Sequence, residues 1–135
     1  MNQRNLYLIR LSFPLIFLHK AEIAARFYDR LFELAPQVRR LFRADLGAQK
    51  EMLAMVLTML AKASFDAASV QGMIARLARS HGGLGITQAQ FRAGETALSE
   101  ALEQVVGSKV DAETLAAWQL AVRRVIQAMI DPPEP

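Results

Sequence analysis

Cysteine is absent from all 135 residues. That absence alone excludes disulfide frameworks, iron-sulfur clusters, thiolate zinc sites and cysteine nucleophiles, and it makes a reducing cytoplasm the natural compartment. Histidine is nearly absent too, with only His19 and His81. Carboxylates do not cluster near either one, which leaves a zinc enzyme without its ligands. Strand signals are few, because the apolar residues recur at helical spacing and runs rich in β-branched or aromatic side chains are short. Repeats, low-complexity tracts and linkers are missing. So is an apolar run long enough to cross a bilayer: Leu6 to Leu18 is almost wholly apolar, but it is short and interrupted by Arg10 and Pro14. The same stretch follows Arg4 and leads into Ala21-Glu22-Ile23-Ala24-Ala25, which superficially looks like a signal-peptide cleavage site. Cleavage there would discard a helix the core needs, so a buried first helix is expected instead.

What is present is apolar and mildly basic. Hydrophobic residues make up 53% of the chain, enough at this length for one compact domain over residues 1–135 with no room for a second catalytic one. The formal charge is +3, with Lys and Arg dispersed among Asp and Glu apart from clusters such as Arg39, Arg40 and Arg43. No nucleic-acid partner is expected from that pattern.

The periodicity predicts an all-α chain. A first helix is expected from about Asn5 to Leu18, and a second from about Lys20 to Leu34 with Ala24, Tyr28, Leu31, Phe32 and Ala35 facing inward. Pro36 ends it, since proline lacks an amide donor and restricts its predecessor. A short helical turn over Gln37 to Phe42 follows. Asp45 can cap a third helix, about Leu46 to Lys62, whose stripe is Gln49, Leu53, Val56, Leu57 and Leu60. A fourth runs from about Ala67 to Ser80 with Met73, Ile74 and Leu77 inward; it ends at His81 and Gly82-Gly83, a pair suited to a left-handed terminus. Thr87 caps a fifth, with Phe91, Leu98, Leu102 and Val105 inward and Gly107 closing it. Asp111 opens the last, with Leu115, Trp118, Val122, Ile126 and Met129 inward, before Asp131-Pro132-Pro133 stops it.

Three of these stripes carry a polar side chain where core is expected: Tyr28, Gln49 and His81. Burying such a group without a hydrogen bond costs roughly 1–3 kcal/mol, so each demands a partner. Taken singly, Tyr28 reads as a core tyrosine reaching a backbone carbonyl, Gln49 as a partly exposed residue at a helix start, and His81 as an imidazole held by the helix dipole. Taken together, they can converge on one buried ligand. A haem iron needs only one protein nitrogen, which a chain with so few histidines can supply.

The segment Phe27-Tyr28-Asp29-Arg30-Leu31-Phe32-Glu33-Leu34-Ala35-Pro36, followed by Arg40-Leu41-Phe42, resembles the second-helix signature of bacterial globins. The likeness continues through Gln49, Leu53, Ala78-Arg79-Ser80-His81, Gly85-Ile86 and Ala117-Trp118. It is similar throughout to single-domain bacterial haemoglobins and to the haem domain of flavohaemoglobins. The resemblance implies a three-over-three globin fold and haem b as cofactor, with His81 the proximal iron ligand. Phe42, Leu53, Leu77, Ile86 and Phe91 would line the haem. Tyr28, Gln49 and Leu53 would form the distal pocket, the first two as hydrogen-bonding partners of the gas. A phenol that donates to the negative charge drawn onto a bound oxygen is worth roughly 1.5–3 kcal/mol, so tight oxygen retention is expected.

The chain also departs from the flavohaemoglobin pattern, which places a tyrosine early in the fifth helix and a glutamate near the end of the last. Phe91 and, more loosely, Pro135 stand there, so the resemblance implies weaker peroxidase-like activation of the iron. Flavin and nicotinamide domains are not expected within the chain. The function implied is reversible oxygen binding for storage, delivery or scavenging by a cytoplasmic monomer or homodimer. Two alternatives are nitric oxide dioxygenation with a separate reductase and haem-based gas sensing, although sensors usually carry an output domain.

Overall fold

Helix starts in this chain follow from short polar side chains that cap backbone amides. In the computed structural model, which describes residues 2–42, 47, 49–51, 53, 54, 57, 58 and 67–131, helix α1 spans Gln3–Leu18. It begins two residues before the expected Asn5, because the Asn2 side chain accepts from the Asn5 amide at 2.8 Å. Helix α2 is Lys20–Leu34, and a 3-10 helix over Pro36–Leu41 follows, with proline at its first position, where a missing amide costs nothing. Residues 47, 49–51, 53, 54, 57 and 58 are helical, inside the third predicted helix. Asp45, Val56 and Leu60 lie outside the described residues.

Helix α3 is Ala67–Gly82, α4 is Gln88–Val106 and α5 is Ala112–Ile130. A capping box starts α4: Thr87 Oγ1 accepts from the Gln90 amide at 3.1 Å, while the Thr87 amide donates to the Gln90 side chain at 3.0 Å. Asp111 caps α5 through the Thr114 amide at 2.8 Å. The end of α3 differs from expectation. His81 falls inside the last helical turn, Gly82 and Gly83 keep negative φ, and the left-handed residue is Gly85, with φ 69°. A glycine needs no left-handed φ to end a helix, and here a turn closed by the Leu84 amide on the His81 carbonyl comes first, at 3.2 Å. Only then does the chain require the conformation that glycine tolerates.

No strand occurs among the described residues. The core is built where α2 packs on α4, α4 on α5, and α1 and α3 on α5. Ile9, Ile16, Ile23, Leu102, Trp118 and Val122, on these helices, are fully buried, as is Leu57. At about 1.5–3 kcal/mol for each large apolar side chain removed from water, they supply a major part of the driving force. Trp118 brings a polar edge into this core, and its indole N–H donates to Ser12 Oγ at 2.8 Å across the α1–α5 contact. Ser12 can accept because its own proton goes to the Leu8 carbonyl at 2.7 Å. Among the described residues, no helix is long and apolar enough to cross a membrane.

Candidate functional site

Pro36 turns the chain sharply after α2, and the 3-10 helix brings Phe42 back over the end of that helix. Tyr28 consequently sits in an aromatic nest. Its ring centroid lies 4.7 Å from Phe27 and 5.5 Å from Phe42, both edge-on, and 6.1 Å from Phe32. Phe32 and Phe42 meet each other at 5.5 Å. Edge-to-face rings at these separations attract beyond the area they bury, so the nest holds Tyr28 firmly.

Tyr28 is buried, and its hydroxyl donates to the backbone carbonyl of Gln49 at 3.0 Å. Burial disfavours the phenolate and pushes the Tyr28 pKa up to about 12, so the group is a neutral donor across the physiological range. The Gln49 side chain turns inward from the same helical turn. Its Oε1 is buried without a hydrogen-bond partner, an expensive arrangement for an amide end. Leu53 and Leu57, one and two turns further along this face, are buried. The result is a patch of apolar walls with two adjacent hydrogen-bonding groups, one of them unsatisfied.

The second group of residues gathers around His81. Nδ1 lies 2.7 Å from the Leu77 carbonyl and 3.2 Å from Ser80 Oγ, whose own proton goes to the Leu77 carbonyl at 3.0 Å. A carbonyl only accepts, so Nδ1 carries a proton and donates it there. The contact fixes the orientation of the imidazole ring. Phe91, on the first turns of α4, faces the imidazole with ring centroids 6.2 Å apart. Among the described residues no carboxylate lies within ion-pair distance of His81. Leu77 packs partly buried against the core, and Ile86 is half-buried beyond the α3 turn.

The structure thus joins Tyr28, Gln49 and Phe42 in one cluster and His81, Leu77 and Phe91 in another. No hydrogen bond or ring contact joins the two clusters among the described residues. Met73 and Ile74 side chains, Arg43 and Pro135 lie outside the described residues. Sequence reasoning passed over two contributors. Phe32 completes the nest around Tyr28, and its place on the inward stripe was the available signal. Ser80 helps hold the imidazole, and adjacency to His81 was the only clue.

An open groove of about 560 Å³ lies elsewhere, between the outer faces of α4 and α5. It is lined by Arg92, Glu95, Leu120, Arg123, Arg124 and Gln127. Glu95 is shared by two of these arginines, at 2.6 Å from Arg92 and 3.4 Å from Arg123. Neither cluster described above contributes to it.

Against this geometry, comparisons with known proteins agree with one another. Residues 25–129 match the family model described as Globin. Flavohemoprotein B of Dictyostelium discoideum is 28% identical over 135 residues, covering 99% of this chain but 32% of that protein. The chain spans about a third of the length of the curated relatives it matches first. Among solved structures, a bacterial globin from Campylobacter jejuni superposes with a TM-score of 0.82 at 22% identity, covering 96% of this chain and 94% of that one, a likeness in fold. An engineered carbene transferase built on a candidate nitric oxide dioxygenase of Rhodothermus marinus superposes with a TM-score of 0.81 at 26% identity, covering 96% and 90%.

Proposed function

Since this chain belongs to the globin family and has its three-over-three helical sandwich, we propose that it holds a haem b through His81 and reversibly binds a diatomic gas, oxygen foremost, beneath Tyr28 and Gln49. The observation that carries this reading is the tethered imidazole. With Nδ1 held at 2.7 Å by the Leu77 carbonyl, the other ring nitrogen, Nε2, is left for an iron. The haem supplies, when bound, an iron that coordinates small gases. Phe42, Leu53, Leu77, Ile86 and Phe91 are the side chains assigned to its apolar surround.

On the other face, the buried and unpartnered Gln49 Oε1 fits a site whose occupant forms hydrogen bonds, since its amide can turn to present either end. Tyr28 supplies a neutral O–H, and its aromatic nest keeps water away from it. These two side chains would retain a gas that gains negative charge on binding longer than an apolar pocket would. The reading is of an oxygen-storing, delivering or scavenging protein of the cytoplasm, folded as one domain.

A second reading is nitric oxide dioxygenation, supported by the likeness to the Rhodothermus marinus protein. It requires a reductase, proposed as a separate partner. Mixing the oxygenated protein with nitric oxide discriminates the two: repeated turnover with an added flavin reductase favours the enzyme, and a single round favours storage.

The primary test is absorption spectroscopy of the purified protein titrated with haemin, reduced with and without carbon monoxide. Uptake of one haemin per chain with a carbon monoxide-sensitive spectrum is expected, and His81→Ala should retain haemin at least tenfold more weakly. A protein that ignores haemin, or a His81→Ala variant with an unchanged spectrum and affinity, overturns the assignment.

A further inference from the structure

Helix α1 has two apolar faces, and the fold uses one. Leu8, Ile9 and Ile16 are buried toward α5, with Ser12 tied to Trp118 between them. On the opposite side, Tyr7, Leu11, Pro14 and Leu18 follow one another at intervals of three and four, forming a single line along the helix. Their exposure is high, at 48% for Tyr7, 65% for Leu11 and 75% for Leu18, and Phe17 alongside stands at 42%. Together these side chains present on the order of several hundred Å² of apolar surface, a size at which exposed patches mark interaction sites.

The charges along α1 and at the residue that opens α2 have one sign, and the nearest carboxylate in sequence is Glu22. Arg4, Arg10 and Lys20 are the charged residues before Glu22, and no Asp or Glu occurs in residues 1–21. Arg4 is committed to Glu113 on α5. Arg10 and Lys20 border the stripe, with the Arg10 guanidinium carbon 5.8 Å from the Tyr7 ring centroid and Lys20 Nζ 3.6 Å from that of Phe17. Each cation rides on an aromatic ring at the edge of the greasy surface, where a long basic side chain can reach a polar headgroup while its stem stays in hydrocarbon. A second copy docked on this stripe would bring no carboxylate from its own α1, which has none.

We propose that the outer face of α1 docks on an anionic lipid bilayer surface, lying in the interface plane with Tyr7, Leu11, Phe17 and Leu18 among the upper acyl chains and Arg10 and Lys20 at the headgroups. The combination of an exposed apolar stripe and basic edges is that of an interfacial helix. At 16 residues with internal charge, α1 is too short and too polar to span.

Co-sedimentation of the purified full chain with vesicles tests this. Binding is expected to vesicles of three parts phosphatidylcholine to one part phosphatidylglycerol, and at least tenfold weaker binding to phosphatidylcholine alone. The double variant Leu11→Ser with Leu18→Ser should lower the partition coefficient more than tenfold, and Lys20→Glu about tenfold. Both variants change exposed positions, so unaltered helicity by circular dichroism accompanies the expected losses. Three results overturn the proposal: no binding to the anionic vesicles, binding that the variants leave unchanged, or sedimentation equilibrium showing a dimer that Leu11→Ser with Leu18→Ser dissolves while vesicles capture nothing. The last assigns the stripe to a second copy of the chain.

Discussion

The hydroxyl of Tyr28 donates its single proton to the backbone carbonyl of Gln49, 3.0 Å away, rather than to the Gln49 side chain. A phenol has one proton to give, so serving a gas ligand means releasing that carbonyl. The distal pair proposed above therefore works by exchange: the ligand competes with a main-chain acceptor that is already in place.

Tyr28→Phe removes the donor and keeps the ring in its nest of Phe27, Phe32 and Phe42. Haemin uptake should persist while oxygen dissociates about tenfold faster or more, the effect of losing one hydrogen bond to a charged acceptor. Stopped-flow displacement of oxygen by carbon monoxide reads this directly. Equal dissociation from both proteins would remove Tyr28 from the pocket.

The Tyr28 phenol also makes stability depend on alkaline pH. Its folded pKa is about 12, against an ordinary value of 10.0. Between these values the folded chain still holds a proton that the unfolded chain has lost, so stability falls as pH rises through the interval and is unaffected by this group below it. Urea midpoints measured from pH 9 to 12 should decline, and decline less steeply in Tyr28→Phe. Parallel slopes in the two proteins would contradict the burial argument.

Gln49→Leu replaces an unpartnered buried amide by an apolar side chain of similar size. The ligand-free protein should gain stability, by about 1–3 kcal/mol if the full desolvation cost is relieved, as measured by urea denaturation. Oxygen loss from the haemin-loaded, reduced protein should accelerate. A variant that is less stable and holds oxygen equally well would indicate that Gln49 serves packing alone.

Much of this architecture was legible in sequence, because the deciding interactions are local. Thr87 and Asp111 cap the helices that their spacing predicted, and Pro36 ends α2 where an absent amide and a restricted neighbour require it. The inward stripes of α4 and α5 read correctly at Leu98, Leu102, Trp118 and Val122, all buried. Gly82-Gly83 misled, since two adjacent glycines permit a left-handed residue without compelling one, and the backbone takes that conformation at Gly85 instead. The candidate site was legible by residue but not by atom. Periodicity places Tyr28 and Gln49 on inward faces, whereas the choice of a main-chain carbonyl over a carboxamide depends on how two helices approach, which spacing does not encode. Likewise, the second apolar line on α1 reads in sequence as depth of burial; only the packed structure leaves Leu11 and Leu18 in water.

Ser12→Ala leaves the Trp118 indole N–H buried in the core without its acceptor. A loss of about 1–3 kcal/mol is expected in urea denaturation, and a smaller one when the same change is made in a Trp118→Phe background, because the orphaned donor is then absent. Trp118 is the single tryptophan, so its fluorescence reports the Ser12→Ala change without interference. Additive losses in the double variant would show that the two residues act independently.

Because α1 rests mainly on α5 and only lightly on α2, it leaves the ribosome well before the helix that forms its proper seat. Ser12 and Trp118 stand 106 positions apart. At synthesis rates of roughly 5–20 residues per second, α1 waits on the order of ten seconds with both oily sides wet. During that interval the face of α1 that ends up against Trp118 has nothing to pack on, so the core closes only once the helix that carries Trp118 has emerged.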